Sequence, residues 1–180
     1  MTARKDVKIF PLFTTPVFLA EDQNPDGALE WALDLKNETT SVHISNIGGH
    51  QTPARGIEDC PYQDYLKERM GFLPPHRITD WWVNINKKGD HNISHCHPSC
   101  DMAGIWYLTD NFKTLAFANP FVMNRTKIDS ASHVRLKASE GSIVIFPADT
   151  MHHVDAHEME DTLRVSMSFN IILHEELKLR

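Results

Sequence analysis

The sequence predicts an α+β chain that is mainly β, with N-terminal helices followed by an antiparallel sandwich of the jelly-roll type. Two segments before residue 79 carry apolar residues at helical spacing, whereas the chain after it contains seven short β-rich runs. Turn-forming stretches such as "KKGDHN" and "ASEG" separate these runs at the intervals typical of sandwiches and barrels. Helices that precede strands in this way favour packing of the helices on one face of the sheet.

The first 78 residues are predicted to form an arm and two supporting helices. Residues 7–21 are apolar and β-branched but contain two prolines, which suits an edge strand or an extended arm. Helices are expected at about 24–37, after an Asn-Pro-Asp start signal, and at about 61–71, where a proline can occupy the first turn. Between them, "TTSVHIS" (39–45) is interpreted as a short strand.

The remaining chain is predicted to be a β core. We interpret 1–180 as one domain, because this length suffices for one hydrophobic core and is short for two. Within it, 1–78 would support a core over 79–174. The predicted strands are 79–86, 103–110, 114–120, 133–139, 142–148, 151–157 and 163–173.

Composition excludes several classes of function. The net charge is −6 with no basic block, which argues against nucleic acid or an anionic membrane surface as the main partner. No stretch approaches the roughly 18 apolar residues of a membrane span. Three cysteines, an odd number without framework spacing, indicate reduced thiols and a cytoplasmic protein. A small molecule or a protein segment is the expected partner.

The stretch "SHCHPSCD" (94–101) is dense in potential metal ligands. In an extended segment His95 and His97 project to the same face, so one strand can present both imidazoles to one metal, while Cys96 points away. A closed zinc site would need a second ligand pair, and the distant Cys60 is single. Three hypotheses for this stretch remain at this point: an open metal site, a structural zinc site and a polar loop.

A second histidine cluster favours the open metal site. "FPADTMHHVDAH" (146–157) follows an apolar run and supplies His152, His153 and His157. A pair of histidines on one strand and a third on another can form a three-ligand site that leaves coordination positions open. Among the three we select His152, since alternation lets it face the cavity together with Val154 while His153 faces away.

Several ordered motifs carry a family resemblance. They are "WWVNINKKGDHNISHCHPSCDMAGIWYL", "FANP", "GSIVIFPADTMHHV" and "RVSMSFN", and together they cover roughly residues 80 to 172. In this order they resemble the iron(II)- and 2-oxoglutarate-dependent oxygenases, specifically a small branch related to prolyl hydroxylases. The resemblance implies a double-stranded β-helix that uses iron(II), 2-oxoglutarate as cosubstrate, and dioxygen.

The resemblance also implies roles for individual residues. The metal ligands would be His95, His97 and His152, and Arg164 would anchor the far carboxylate of 2-oxoglutarate. A guanidinium offers the planar fork that a carboxylate accepts. Polar residues alternate with apolar ones in "LRVSMSF", so Ser166 shares the face of Arg164 and can add a hydroxyl donor.

The sequence departs from the wider superfamily at one ligand. Relatives have a carboxylate where this chain has His97, and three neutral imidazoles leave the iron site with one more positive charge. Asp101, four residues further on, could supply the carboxylate if the chain turns after Pro98. We therefore keep His97 as the predicted ligand and Asp101 as the alternative.

Further cavity residues follow from the family pattern and from alternation. Asn84 and Tyr107 are predicted to contact the cosubstrate, and Trp82, Asn92 and Asn170 are candidates for substrate contact. Trp82 and Tyr107 could instead be packed core residues. Asn92 could orient the turn before His95, and Asn170 could cap a strand. Four other histidines are interpreted as non-ligands: His91, His133, His153 and His157.

The predicted activity is hydroxylation of an unidentified C–H bond by an iron(II)- and 2-oxoglutarate-dependent dioxygenase. The resemblance makes a prolyl or other peptidyl target plausible, although fold and function are separable. Two alternatives are a cupin-like three-histidine dioxygenase that does not use 2-oxoglutarate and a noncatalytic, zinc-stabilised binding module.

Overall fold

The computed structural model describes residues 14–120 and 132–174. These ranges contain helices α1 (Ala28–Glu38) and α2 (Gln63–Arg69) and a short 3-10 helix at Ile57–Asp59. The strands within them are β1 Phe18–Ala20, β2 Asn46–Ile47, β3 His50–Gln51, β4 Arg55–Gly56, β5 His76–Asn86, β6 His91–His95, β7 Met102–Tyr107, β8 Leu115–Ala118, β9 His133–Leu136, β10 Ile143–Pro147, β11 His152–Val154 and β12 Arg164–Leu173. No helix in the described part of the chain is long and apolar enough to span a membrane.

The strands form two antiparallel sheets. The major sheet has the order β1-β10-β7-β12-β5-β3, with β4 also paired to β5. The minor sheet has the order β2-β6-β11-β8-β9. This mainly β arrangement with two helices confirms the predicted fold class.

The larger part of the core lies between the helices and the outer face of the major sheet. Alternation along β5 and β12 directs Trp81, Val83, Val165 and Met167 toward this face, and all four are buried. Ala28, Ala32 and Leu35 of α1 and Leu66 of α2 belong to the same cluster. The helices therefore cover one face of the major sheet, as predicted.

Gly104 in β7 leaves space on this face for the ring of Phe169 of β12. The two residues are paired in the register, and a Cβ at position 104 would overlap the Phe169 ring. We expect Gly104→Ala to lower the free energy of unfolding by about 1–3 kcal/mol, the usual cost of overpacking. Urea unfolding measures this, and a second change, Phe169→Leu, should recover part of the loss. Strictly additive effects of the two substitutions would exclude the contact as the cause.

The inner faces of the two sheets enclose a smaller core that adjoins a polar cavity. Phe117 of β8 packs edge-on against Phe146 of β10, with ring centroids 4.9 Å apart. Ile105 and Tyr107 of β7 extend this cluster toward Leu115. Apart from Trp82, the residues of β5 and β12 that face inward here are polar, and they line a cavity beside the apolar contact.

Most predicted elements are present, with two exceptions. The run 39–45 does not form a strand. Thr39 Oγ1 instead donates to Leu35 O at 2.7 Å at the end of α1 and lies 3.0 Å from His50 Nε2 of β3. Conversely, residues 87–92 were expected to form a turn, but β6 already begins at His91. The edge strand predicted within 7–21 is confirmed at β1, and residues 7–13 lie outside the described ranges.

Candidate metal centre and adjoining cavity

Three histidines converge at one end of the inner cavity. His95 ends β6, His152 begins β11 and is paired with His95 in the register, and His97 lies in the loop after β6. One nitrogen from each ring lies within 4.8 Å of the others. The ring centroid of His152 is 4.3 Å from that of His95 and 5.3 Å from that of His97. This spacing suits three ligands of one metal ion.

His97 reaches the cluster from a loop rather than from the strand. The expectation that one strand carries both His95 and His97 is wrong, because β6 ends at His95. The loop is held by a hydrogen bond from His97 N to Ala148 O at 2.8 Å. The pairing of β6 with β11 also shifts register between His152 and Val154, so that Asn92 as well as His95 faces the cavity.

Hydrogen bonds fix the orientation of all three rings. His95 Nδ1 lies 2.8 Å from Ile93 O, and His152 Nδ1 lies 2.9 Å from Thr150 O. Because a carbonyl oxygen only accepts, each Nδ1 donates, and Nε2 carries the lone pair. His97 is oriented by a side chain instead, with Nδ1 2.7 Å from Asn170 Oδ1.

The cluster holds its imidazoles neutral. Burial lowers the pKa of His95 and of His97, and burial together with His95 lowers the pKa of His152 to about 3. Hydrogen bonds to Ile93, Asn170 and Thr150 oppose these shifts without cancelling them. Metal ligation requires the neutral form, so the site is prepared for a cation at neutral pH.

This neutrality predicts a pH dependence of stability in the metal-free protein. The unfolded chain protonates His152 near pH 6.5, whereas the folded chain does so only near 3, so stability present above 6.5 is lost as pH falls. One such group changes the free energy of unfolding by up to about 1.4 kcal/mol per pH unit. Urea unfolding at pH 7 and 5 measures the slope, and His152→Gln should reduce it. An equal slope in that variant would contradict the assignment.

A carboxylate lies two hydrogen bonds away from the cluster. Asn170 Nδ2 donates to Asp80 Oδ2 at 2.9 Å while Asn170 Oδ1 accepts from His97, so Asp80 acts on His97 through Asn170. The predicted alternative ligand, Asp101, is placed elsewhere. Its Oδ2 accepts from Leu173 N at 2.9 Å, and among the described residues the ligand cluster comprises the three histidines without it.

The major sheet lines the other end of the cavity. Ser166 is paired with Asn84 on one side and Tyr107 on the other, so these three residues lie side by side across three strands. Arg164 begins β12, is 2% exposed, and donates through Nη1 to Asp155 O at 3.1 Å. Its Nη2 and the Oδ1 of Asn84 are buried without hydrogen-bond partners among the described residues. The cavity therefore offers a buried cation with an unused donor.

Burial also sets the electrostatics of this end. It lowers the pKa of Arg164 to about 10 and raises that of Tyr107 to about 12. Both groups thus keep their protons at neutral pH, Arg164 as a guanidinium and Tyr107 as a hydroxyl donor. An anion in the cavity would relieve the unpaired charge of Arg164.

The remaining predicted residues surround the same space. Trp82 stacks on His97 with centroids 5.7 Å apart, and Asn92 Nδ2 donates to Ser45 Oγ at 3.1 Å. Among the described residues, the histidines predicted not to ligate do not join the ligand cluster: His91, His133, His153 and His157.

Asp80 and Phe146 are among the residues at the site that were not predicted. Asp80 shares the alternation of Trp82 and Asn84 on β5, so the period-2 pattern could have identified it. Phe146, whose ring centroid lies 4.7 Å from that of His152, could not be distinguished from ordinary core. Of the nearby thiols, Cys100 is held protonated because burial raises its pKa to about 11.

Solved structures share this fold at low sequence identity. HygX from Streptomyces hygroscopicus, with nickel and 2-oxoglutarate bound, is 12% identical, with a TM-score of 0.65 over 90% of this chain and 84% of that chain. SnoK, a non-heme alpha-ketoglutarate-dependent carbocyclase from nogalamycin biosynthesis, is 10% identical, with a TM-score of 0.63 over 88% and 80%. A 2OG-Fe(II) oxygenase family oxidoreductase from Burkholderia pseudomallei is 10% identical, with a TM-score of 0.58 over 88% and 86%. The likeness is one of fold.

The sequence itself matches a family over half its length. No curated protein matches the chain. The family described as "Putative 2OG-Fe(II) oxygenase" matches residues 80–170, which include all three histidines of the cluster and Arg164. The resemblance to this superfamily is therefore confirmed, together with its cofactors iron(II), 2-oxoglutarate and dioxygen. The chain belongs to the 2OG-Fe(II) oxygenase family and is a 2-oxoglutarate-dependent oxygenase.

Proposed function

We propose that this oxygenase is a hydroxylase in which His95, His97 and His152 hold iron(II) and Arg164 anchors 2-oxoglutarate. The observation that carries the proposal is the pairing, in one cavity, of three neutral imidazoles with a buried guanidinium whose Nη2 has no partner among the described residues. The histidine end of the cavity can hold the metal that one end of 2-oxoglutarate would chelate. The Arg164 end can bind the other carboxylate.

The residues present fit the metal. Imidazole nitrogen is a suitable ligand for iron, and three protein ligands from one side leave positions open for other molecules. The three Nδ1 atoms are occupied by Ile93, Thr150 and Asn170, so the Nε2 atoms are the ones available to the metal. Iron and 2-oxoglutarate together would supply the oxidising power to insert one atom of dioxygen into a C–H bond, yielding succinate, carbon dioxide and an alcohol.

The protein's own contribution is to bind, orient and exclude water. Arg164 would take the far carboxylate in a charge-assisted hydrogen bond, and Ser166 and Tyr107 would donate their hydroxyls alongside. Phe146 and Phe117 close the apolar side of the metal centre. Burial strengthens the attraction between Arg164 and a carboxylate, because charges are less screened in a protein interior than in water.

The cavity must widen to admit the cosubstrate. Its volume of about 40 Å³ is small for a five-carbon dicarboxylate. Asn84 is suited to move, because its Oδ1 has no partner among the described residues and its Nδ2 makes one bond, to Ser168 Oγ at 3.2 Å. We infer that cosubstrate binding rotates cavity side chains.

The reacting C–H bond is proposed to belong to a small molecule or to a peptidyl residue. The sequence motifs resemble a branch related to prolyl hydroxylases, and this resemblance favours a prolyl or other peptidyl target. A small-molecule target is supported by analogy with HygX, which has been solved with hygromycin B bound.

Anaerobic titration of the iron(II) protein with 2-oxoglutarate tests the proposal. A visible metal-to-ligand charge-transfer band is expected, followed by release of succinate when dioxygen is admitted. His152→Ala, which removes one ligand, should abolish the band, whereas His133→Ala, on an exposed strand, should not. Metal binding without the band would favour a three-histidine dioxygenase that does not use 2-oxoglutarate. Unfolding upon chelation would favour a structural zinc module.

A further inference from the structure

A second cavity adjoins the histidine cluster on the side away from Arg164. We call it the outer cavity; its walls include Ile44, Gln51, Ala54, Asp80, Trp82 and Pro98. His95, His97 and Trp82 line both cavities, whereas Arg164, Ser166 and Tyr107 line only the inner one. A molecule in the outer cavity would thus lie against two of the three proposed ligands without displacing a cosubstrate bound at Arg164.

The size of the outer cavity limits what it can hold. Its volume of about 220 Å³ exceeds the roughly 150 Å³ of an engineered cavity that binds benzene. One substituted aromatic ring or an aliphatic group of similar bulk fits this space. Apolar surface from Ile44, Ala54, Trp82 and Pro98 provides the contact area for such a group.

The charge of the outer cavity selects among such molecules. Among the described residues that line it, Asp80 is the one carboxylate, and neither a lysine nor an arginine is present. Thr79 Oγ1 and Asn170 Nδ2 each donate to Asp80, but a carboxylate can accept about four hydrogen bonds. Among the described residues Asp80 forms no ion pair, so its negative charge is not neutralised by a neighbouring cation.

A second polar group in the outer cavity also lacks a partner. Gln51 is 3% exposed, lines the cavity, and its Oε1 has no hydrogen-bond partner among the described residues. A buried acceptor of this kind carries a free-energy penalty that a donor on a bound molecule would remove. Asp80 and Gln51 can therefore each accept a hydrogen bond from a donor on a bound molecule.

We propose that the outer cavity binds the substrate, and that the substrate is an amine: an apolar or aromatic body bearing an ammonium group directed at Asp80 and Gln51. The indole of Trp82 adds a surface on which the cation or the apolar body can pack. Anionic substrates would be repelled by Asp80. The proposal rests on the proposed function, because the cavity is a substrate site only if oxidation takes place at the histidine cluster.

Matched small probes test this inference on the full chain. Phenethylamine, phenethyl alcohol and 3-phenylpropionate share the aromatic body and differ in the polar end. Binding would be followed through the indole ¹⁵N–¹H signal of Trp82, assigned with Trp82→Phe, in metal-free and Zn(II)-loaded protein. We expect phenethylamine to bind at least about tenfold more tightly than the alcohol in both forms, and 3-phenylpropionate to bind more weakly than either.

Two variants locate the binding. Ala54→Trp, at an exposed position on the wall, should fill the outer cavity and remove phenethylamine binding, while Gln51→Leu should weaken it several-fold. Binding of 3-phenylpropionate as tight as that of the amine, or unchanged amine binding in Ala54→Trp, would overturn the inference. Failure of the proposed function is separate, since it would appear as a missing charge-transfer band with 2-oxoglutarate while the amine still binds.

Discussion

Replacing Arg164 by alanine is expected to weaken 2-oxoglutarate binding at least about 30-fold and to leave iron(II) affinity unchanged. Truncating one partner of a buried charge pair costs about 2–5 kcal/mol, and 1.4 kcal/mol corresponds to a factor of ten. Arg164 is 2% exposed, and its Nη2 has no hydrogen-bond partner among the described residues, so it can bind a carboxylate. Anaerobic titration, with the charge-transfer band as the signal, gives the dissociation constant directly.

Two matched variants sharpen the Arg164 experiment. Arg164→Lys keeps the charge but loses the planar fork, so we expect an intermediate loss of cosubstrate affinity. Arg77→Ala removes an exposed arginine of β5 and should change nothing. Parent-like affinity for 2-oxoglutarate in Arg164→Ala would show that the cosubstrate is anchored elsewhere.

Replacing Asn170 by alanine is expected to lower metal affinity about 10- to 100-fold, the usual effect of removing a group that orients a ligand. Asn170 Oδ1 accepts a hydrogen bond from His97 Nδ1, and Asn170 Nδ2 donates to Asp80. Loss of the amide would therefore remove the bond that orients the His97 ring and its link to the carboxylate. The family resemblance implies that relatives have a carboxylate among the metal ligands. In the proposed site Asp80 would supply negative charge through Asn170 and so partly compensate for the third imidazole.

The readout for Asn170 must separate metal binding from folding. Competition with a chelator gives the Fe(II) or Co(II) affinity, and the Co(II) d–d spectrum reports the geometry of the site. The melting temperature of the metal-free variant controls for general destabilisation, and Asn37→Ala, on the exposed side of α1, is a matched asparagine control. Parent-like affinity and spectrum in Asn170→Ala would mean that His97 needs no such support.

Secondary structure could be predicted from the sequence where one face of a strand or helix is buried, because apolar residues then recur at a regular spacing. The alternation of β5 and β12 placed Trp82 and Asn84 on one face of β5, and Arg164 and Ser166 on one face of β12. All four line the inner cavity, because the opposite face of the major sheet packs on helices. In contrast, β6 has polar residues facing the cavity and Ile93 exposed, so no apolar alternation marks it as a strand. A strand that faces a polar site lacks the signal by which strands are found.

The arrangement of the metal cluster was only partly predictable. The choice of His152 among three histidines followed from alternation along β11, and the structure places it in the cluster. The position of His97 depends on a loop and on a hydrogen bond to Asn170, 73 residues away in sequence. Likewise, nothing local shows that Asp101 meets Leu173 rather than the histidines. Contacts of this range depend on how the sheets are stacked, which local patterns do not encode.

The two ends of the inner cavity belong to different sheets, and this has a mechanical consequence. His95 and His152 are carried by the minor sheet, whereas Arg164 and Ser166 are carried by the major sheet. In the proposed complex, 2-oxoglutarate held at both ends would act as a brace across the sandwich and oppose sliding of one sheet over the other. Conversion to succinate would loosen that brace, because the shorter product keeps its hold on Arg164 but loses the chelating end that reaches the metal. Completion of the reaction would therefore loosen the connection between the two sheets that carry the site.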